Sequence, residues 1–596
     1  MIAPMKPYAW PMLMARRRRL LAAVLVVLLA AACASDSDEA ATDSGAMQYD
    51  WITGDTLVMG PPARDGKSLV GIYLAGRHAQ VSRDIPAATE FLGTALKIAP
   101  EIPDLLRRTF VLMVVEGRLE EATALARRVV KIKKDDLIAN LTLIVVDIHA
   151  GRFADAEARA AEMPDKGINA FLTPLLRAWA LAAGGDGVEA ALEALDPLSK
   201  NKRAKALFDL HTALINEMAG RTEAAEKGFV SAIEDQGGLS LRLAELFGAH
   251  FERAGKPKAA GALYRNYLEA QPDSHLLDPA LARLKAGIRP VNDIDSAADG
   301  AAEGLFGLAS SLRQQNAQET ALVFGRLALY LRPDFPVMQS LVASALESNN
   351  RLEMANKVHA SINPDNPLAW SARMSIAFNL NKLGRTDEAV RQLEAMAGEN
   401  PADAEPLINL GDILRGKERF PEAIEVYTKA MDRIGELTPQ HWSLFYSRGI
   451  AFEQSDQWDR AEKDFLKALE FEPDQPFVLN YLGYSWIDKS LHLERGKVMI
   501  KKAVELRPTD GFIVDSLGWV LYKLGDYRGA VKEMERAVEL EPDDPIINDH
   551  LGDVYWRVGR RYEARFQWNR ALSFDPKPED RPKIEEKIKR GLTGIR

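Results

Sequence analysis

A small residue returns about every 34 positions along most of this 596-residue chain, and that period constrains the fold more than any other feature. The rungs are Ala88, Ala122, Ala156, Ala190, Ala225 and Ala260, then, after one long gap, Ala321, Ala355, Ala389, Ala423, Ala461, Gly496, Ala530 and Ala564. Twelve residues after a rung stand Pro100, Pro272, Pro333, Pro367, Pro401, Pro473, Pro508, Pro542 and Pro576. That is nine of fourteen rungs, where 31 prolines in 596 residues predict about one by chance. A period of this length is too short for a domain and too long for a single helix. It fits one supersecondary unit that cannot bury its apolar face without neighbours.

The unit reads as two helices. Around Gly518, Val514, Leu517, Val520, Leu521 and Leu524 form a helical stripe, Gly525-Asp526 breaks it, and Ala530 to Leu540 resumes it. Small residues at 518, 530 and 537 permit close helix approach, and Pro542 ends the second helix. With Tyr527 between them, this spacing resembles the tetratricopeptide repeat. The resemblance implies an all-α, right-handed superhelix (an α-solenoid) of about 14 helix-turn-helix repeats. It covers about 67–272 and 301–576, degenerate near 122–225 and strong from 389 onward. The 61-residue interval between Ala260 and Ala321 leaves 27 residues over, so 273–300 is expected to be a linker or irregular insertion between two arrays. Residues 577–596 read as an amphipathic capping helix.

In tetratricopeptide folds the first helix of each repeat lines the inner groove. Carrying that over, the positions three before, one after and four after the small residue face a ligand. They are Asn480, Tyr484 and Ile487 around Gly483, Asp515, Trp519 and Tyr522 around Gly518, and Asp549, Asp553 and Trp556 around Gly552. Aromatic anchors in a concavity are common hot-spot chemistry, and the carboxylates suit basic partner residues. The bland alternative is that these aromatics are interhelical core.

The N-terminus reads as an address. Arg16 to Arg19 precede the apolar run Leu20 to Ala32, which ends at the only cysteine, Cys33. The run is shorter than the roughly 20 apolar residues a bilayer span needs. Leu29-Ala30-Ala31-Ala32-Cys33 resembles the lipobox of bacterial lipoproteins, with Ala30 where leucine is favoured; the resemblance implies cleavage before Cys33 and its acylation. Ala34 then implies sorting to the outer membrane, facing the periplasm. A plain secretory peptide and a soluble periplasmic protein are the alternative, and Met14 is an alternative start. Residues 33–66 carry the lipidated cysteine and an acidic Ser/Asp/Ala/Gly-rich tether with a reach of roughly 30 Å. Gly60 to Ser68 (GPPARDGKS) has five residues between its glycines instead of the phosphate loop's four, and no strand before it.

Composition enters as an exclusion. One cysteine leaves no intrachain disulfide or cysteine-based metal site. The nine histidines show no metal-ligand spacing, and no nucleophile elbow appears. Neither an enzyme nor a cofactor is expected. Net charge is -9, near -14 once the five cations of residues 1–32 are removed, which disfavours nucleic acid and anionic lipid unless a local basic patch is hidden. The blocks DGFIVDSLGWVLYKLGDYRGAV (510–531) and DDPIINDHLGDVYW (543–556) are similar to long-repeat outer-membrane lipoproteins of proteobacteria. That resemblance implies a non-enzymatic protein–protein adaptor holding periplasmic partners, such as a processing protease and its cell-wall hydrolase substrates. The alternative is a structural component of an outer-membrane assembly, polysaccharide-export or pilus machine.

Overall fold

A computed structural model describes residues 68–82, 84–184, 187–272 and 274–592. The signal, Cys33 and the tether lie outside them. Every regular element among the described residues is helical: thirty α-helices and one 3-10 turn, Pro439–His441. None of these helices is long and apolar enough to cross a membrane. Helix starts follow local chemistry. Asp84, Asp136, Ser240 and Asp510 each accept from the backbone N–H three residues on, and proline opens Pro257–Ala270, Pro336–Ser348 and Pro545–Arg557.

The rungs lie on the second helix of each repeat. Ala88, Ala122, Ala321, Ala530 and Ala564 are completely buried; at the fourth rung the buried residue is Ala191, and Ala190 is only half-buried. The small residue on the first helix receives a large side chain from its own second helix. A Cβ at Gly552 would stand 2.4 Å from Trp568, one at Gly411 2.5 Å from Tyr427, and one at Gly518 2.8 Å from Met534. Five residues before the rung the turn needs a left-handed backbone, met by Gly525 (φ +84°) and elsewhere by Asn316, Glu418 or Asp456.

The chain divides into two compact units at Ala389/Val390, inside helix Thr386–Glu399. In the first unit six hairpins stack from Leu69 to Ala270. The stretch expected to be irregular is partly ordered as helix Asp278–Ala286, which closes the sixth hairpin by packing Leu277 and Ala280 against Ala260, Tyr264 and Tyr267. The chain then turns back. Helix Ala297–Gln314 packs on Asn169–Gly184 and Lys205–Met218, and Gln318–Leu331 packs on Pro103–Glu116 and Leu137–His149. All four are first helices, so this seventh hairpin fills the inner face of the preceding array.

The contacts explain the composition of AADGAAEGLFGLAS. Gly300, Ala301, Ala302, Glu303, Gly304 and Leu305 are buried in succession, as a helix covered all round must be. A Cβ at Gly300 would stand 2.2 Å from Trp179, whose indole is fully buried and donates to His211 Nδ1 at 3.0 Å. Burial pushes His211 down to about 3, so this acceptor is neutral. Arg326 donates to the Val115 carbonyl at 3.0 Å, and Tyr330 meets His149 with ring centroids 4.6 Å apart. A charged network fixes the turn-back: Arg242 pairs with Glu303 (2.7 Å), Asp293 (2.6 Å) and Glu245 (3.2 Å), and Arg332 with Asp293 (2.5 Å). Burial pushes Asp293 up, but the two guanidiniums outweigh it and hold its carboxyl at about 2.

In the second unit successive hairpins continue to Arg561–Ser573. Helix Arg581–Arg590 then closes the stack through buried Ile584.

Candidate partner-binding face

In the second unit, Pro476–Asp488 packs on Gly511–Lys523, and Gly511–Lys523 on Pro545–Arg557. Among the described residues no two successive second helices pack as extensively. A stack that touches more on one side than the other curves toward that side, so the first helices form its inner face.

That face brings the expected residues together in two groups. In the first, Asp515 is buried and its carboxylate meets His550 Nδ1 at 3.0 Å. The His550 ring stacks on Trp519 (centroids 4.0 Å, 20° between planes), and Trp519 stacks on Tyr522 (4.8 Å, 16°). Burial pushes His550 down, but the Asp515 carboxylate outweighs it, and the imidazole ends above its ordinary value. Tyr522 accepts from Arg557 Nε at 3.2 Å, and Lys523 reaches Asp488 at 3.4 Å. Tyr484 is half-buried; burial, then Asp488 and Asp515, push its hydroxyl up. Asn480 is also half-buried and its Oδ1 has no hydrogen-bond partner, whereas Ile487 is core.

The second group is covered by the chain itself. Lys587 of the terminal helix places its ammonium 2.7 Å from Asp549 Oδ2 and 2.9 Å from Asp553 Oδ2. Trp568 Nε1 donates to the other Asp553 oxygen at 3.0 Å. Burial, and then the neighbouring Asp549, push Asp553 up to about 6 against the pull of Lys587. Trp556 lies 5.5 Å from Trp568, between ring centroids, and Gly591 closes over it so tightly that a Cβ there would stand 1.9 Å away. The carboxylates expected to await a basic partner therefore already have cations or an imidazole, and the half-exposed aromatic faces of Tyr484, Trp519 and Tyr522 form what remains.

Sequence reasoning missed His550, Lys523, Arg557 and Lys587. His550 and Arg557 had a signal, because each pairs with an expected groove residue 35 positions earlier, one repeat away, and Lys523 pairs at the same spacing with Asp488, next to Ile487. Lys587 had none, since its reach depends on how the cap docks. No group of three or more His, Cys, Asp or Glu among the described residues could hold a metal ion.

Two stretches of the chain match repeat-family models. Residues 380–436 match the model described as tetratricopeptide repeat, and 518–559 the one described as TPR repeat. A TPR repeat-containing protein of Pseudomonas aeruginosa is 27% identical over 186 residues, 30% of this chain and 30% of its own length. The chain thus spans less than a third of that relative. Among solved structures, the Cut9–Hcn1 hetero-tetramer of the APC/C aligns over 87% of this chain and 96% of the other, at 16% identity and TM-score 0.36. Yeast Tom70 aligns over 88% and 95%, at 13% identity and TM-score 0.35. Tetratricopeptide repeats as a class mediate protein–protein interaction.

Proposed function

We propose that this chain is a non-enzymatic adaptor of the bacterial cell envelope. Cys33 is its lipid anchor, the outer membrane its address, and the inner face of its second unit the place where a periplasmic protein docks. One observation carries the docking reading: half-exposed Trp519 stacks with both Tyr522 and His550, and His550 is pinned by Asp515. Such an aromatic is held in place before a partner arrives and loses little freedom on binding. Because the acids nearby already have partners, the surface favours a segment anchored by apolar or aromatic side chains over a purely basic one. An N-terminal anchor raises the local concentration of whatever is held, so modest affinity suffices. Support for the envelope address comes from the Arg16–Cys33 pattern, and for the adaptor role from the matched repeats.

The test is crosslinking in cells with a photoreactive residue at Tyr484 or Trp519 of the full chain, and a control at exposed Lys532 on a second helix. The expected result is a soluble protease or cell-wall hydrolase trapped from the inner face and absent from the control. Outer-membrane or secretion components trapped equally from both positions would replace this reading with the assembly-component one.

A further inference from the structure

The C-terminal end reverses the charge of the rest of the molecule. From Arg557 to Arg596 there are twelve Lys and Arg against six Asp and Glu, a balance of +6; the chain as a whole is -9, so everything before carries -15. This is the local basic patch that an acidic chain requires before it can approach an anionic surface.

Helix Arg561–Ser573 carries an unusual outer face. It buries Ala564, Gln567, Trp568 and Ala571. At 100° per residue the opposite side holds Tyr562, Phe566, Asn569 and Ser573, with Arg561 and Arg565 along one edge and Arg570 along the other. Tyr562 is 88% exposed and Phe566 60%. The equivalent positions are Arg528 and Lys532 one repeat earlier, Glu494 and Val498 two repeats earlier, and Asp459 and Lys463 three repeats earlier. Each of those pairs holds at least one charged residue, and none holds an aromatic.

The cations around this pair keep their charge available. Arg565 donates to the Ile588 carbonyl and Arg570 to the Pro542 carbonyl, while Arg561 lies over the Trp556 ring, 5.3 Å from its centroid. With exposed Lys577 and Lys589 they make five cations that, among the described residues, meet no carboxylate. Of the six acids in this stretch, Glu563 pairs with Arg560, Asp575 with Arg581, Asp580 with Lys583 and Glu586 with Arg590, while Glu579 and Glu585 form no ion pair among the described residues, so the cations outnumber the carboxylates left unpaired.

We propose that this end of the chain is a membrane-contact face, on which Tyr562 and Phe566 enter the headgroup layer of an anionic phospholipid surface and Arg561, Arg565, Arg570, Lys577 and Lys589 meet its phosphates. Aromatics flanked by cations are the chemistry of interfacial anchoring. The pair protrudes from the outer side of the stack, so a deformable surface can close around it. A single-stranded nucleic acid would stack on the same two rings, so an oligonucleotide is the competing ligand in the experiment below. This contact involves neither Cys33 nor the inner face, and it stands or falls apart from the adaptor reading.

The test uses the full chain with Cys33→Ser and a polarity-sensitive fluorophore at Asn569→Cys. The protein is mixed with vesicles of phosphatidylcholine alone or containing about 30% phosphatidylglycerol. Any attachment through residues 1–32 is common to all samples, and the label reads only the C-terminal face. A blue shift confined to the anionic vesicles is expected. Tyr562→Ser/Phe566→Ser and Lys577→Glu/Lys589→Glu should each weaken it about tenfold or more. These four residues are exposed, so folding should be unaffected, which circular dichroism checks. No shift with anionic vesicles, or an equal shift with neutral ones, overturns the proposal. A shift produced by a single-stranded oligonucleotide without vesicles overturns it in favour of nucleic acid.

Discussion

Gly300→Ala should loosen the first unit at a place set by long-range packing instead of by the repeat. The added Cβ would stand 2.2 Å from two atoms of the Trp179 ring and 2.3 Å from a third, so the whole indole must move. Trp179 is completely buried and fixed by its hydrogen bond to His211. Overpacking of this kind costs about 1–3 kcal/mol, and losing the hydrogen bond about 1 kcal/mol more. Against that, alanine within a helix gains about 0.5–1 kcal/mol over glycine. The net is a loss of roughly 1–3 kcal/mol, or about five- to a hundredfold faster amide exchange wherever the affected region opens. Hydrogen-exchange mass spectrometry of the full chain should show it in peptides from 297–331 and from 169–184 together. Gly307→Ala is the matched control on the same helix, because its nearest neighbour is the mobile end of Leu207 at 3.2 Å. Equal protection in the two variants would refute the docking of this hairpin on the inner face.

Gly525→Ala isolates the turn. Nothing lies within 4 Å of the added Cβ, so the loss of about 1–2 kcal/mol comes from φ +84° alone and should appear in urea unfolding of the second unit. The last two repeats should become firmer in mild acid. His550 sits above its ordinary value, so its contribution is complete below about pH 6.5 and fades as pH rises through the folded value. Asp553, at about 6, penalises the fold when ionised; that penalty is absent below about pH 3.9 and complete above about pH 6. Exchange in 545–573, corrected for intrinsic rates, should therefore be slower at pH 5.5 than at pH 8 by the equivalent of on the order of 1–2 kcal/mol. His550→Gln should shrink this difference. Lys587→Met, which leaves Asp549 and Asp553 without their cation, should enlarge it and free the terminal helix.

The helical hairpins were legible because each small residue answers a local need. Gly518 must admit Met534 and Gly552 must admit Trp568, and those requirements repeat at the helical-hairpin period. The aromatic group around Trp519 was half-legible: the resemblance put Asp515, Trp519 and Tyr522 on one face, but what they touch comes from the next repeat. The return of 297–331 was not legible. A period reports which units are neighbours in sequence, and Trp179 against Gly300 is a contact across three repeats. Its trace was the density of small residues in AADGAAEGLFGLAS, of which sequence alone assigns AADG to the insertion and the rest to an ordinary repeat of the second array.

That return also bears on how such a chain can change in length. Repeat arrays ordinarily gain or lose whole units with little harm, since each touches only the next. Here Arg326 must meet Val115 while Gly300 meets Trp179, and those two partners sit a fixed number of hairpins apart. Duplicating or deleting one hairpin between them would move one contact out of reach of the other. The count of hairpins in that stretch is thereby fixed by geometry, and variation in length among descendants of this sequence should fall elsewhere.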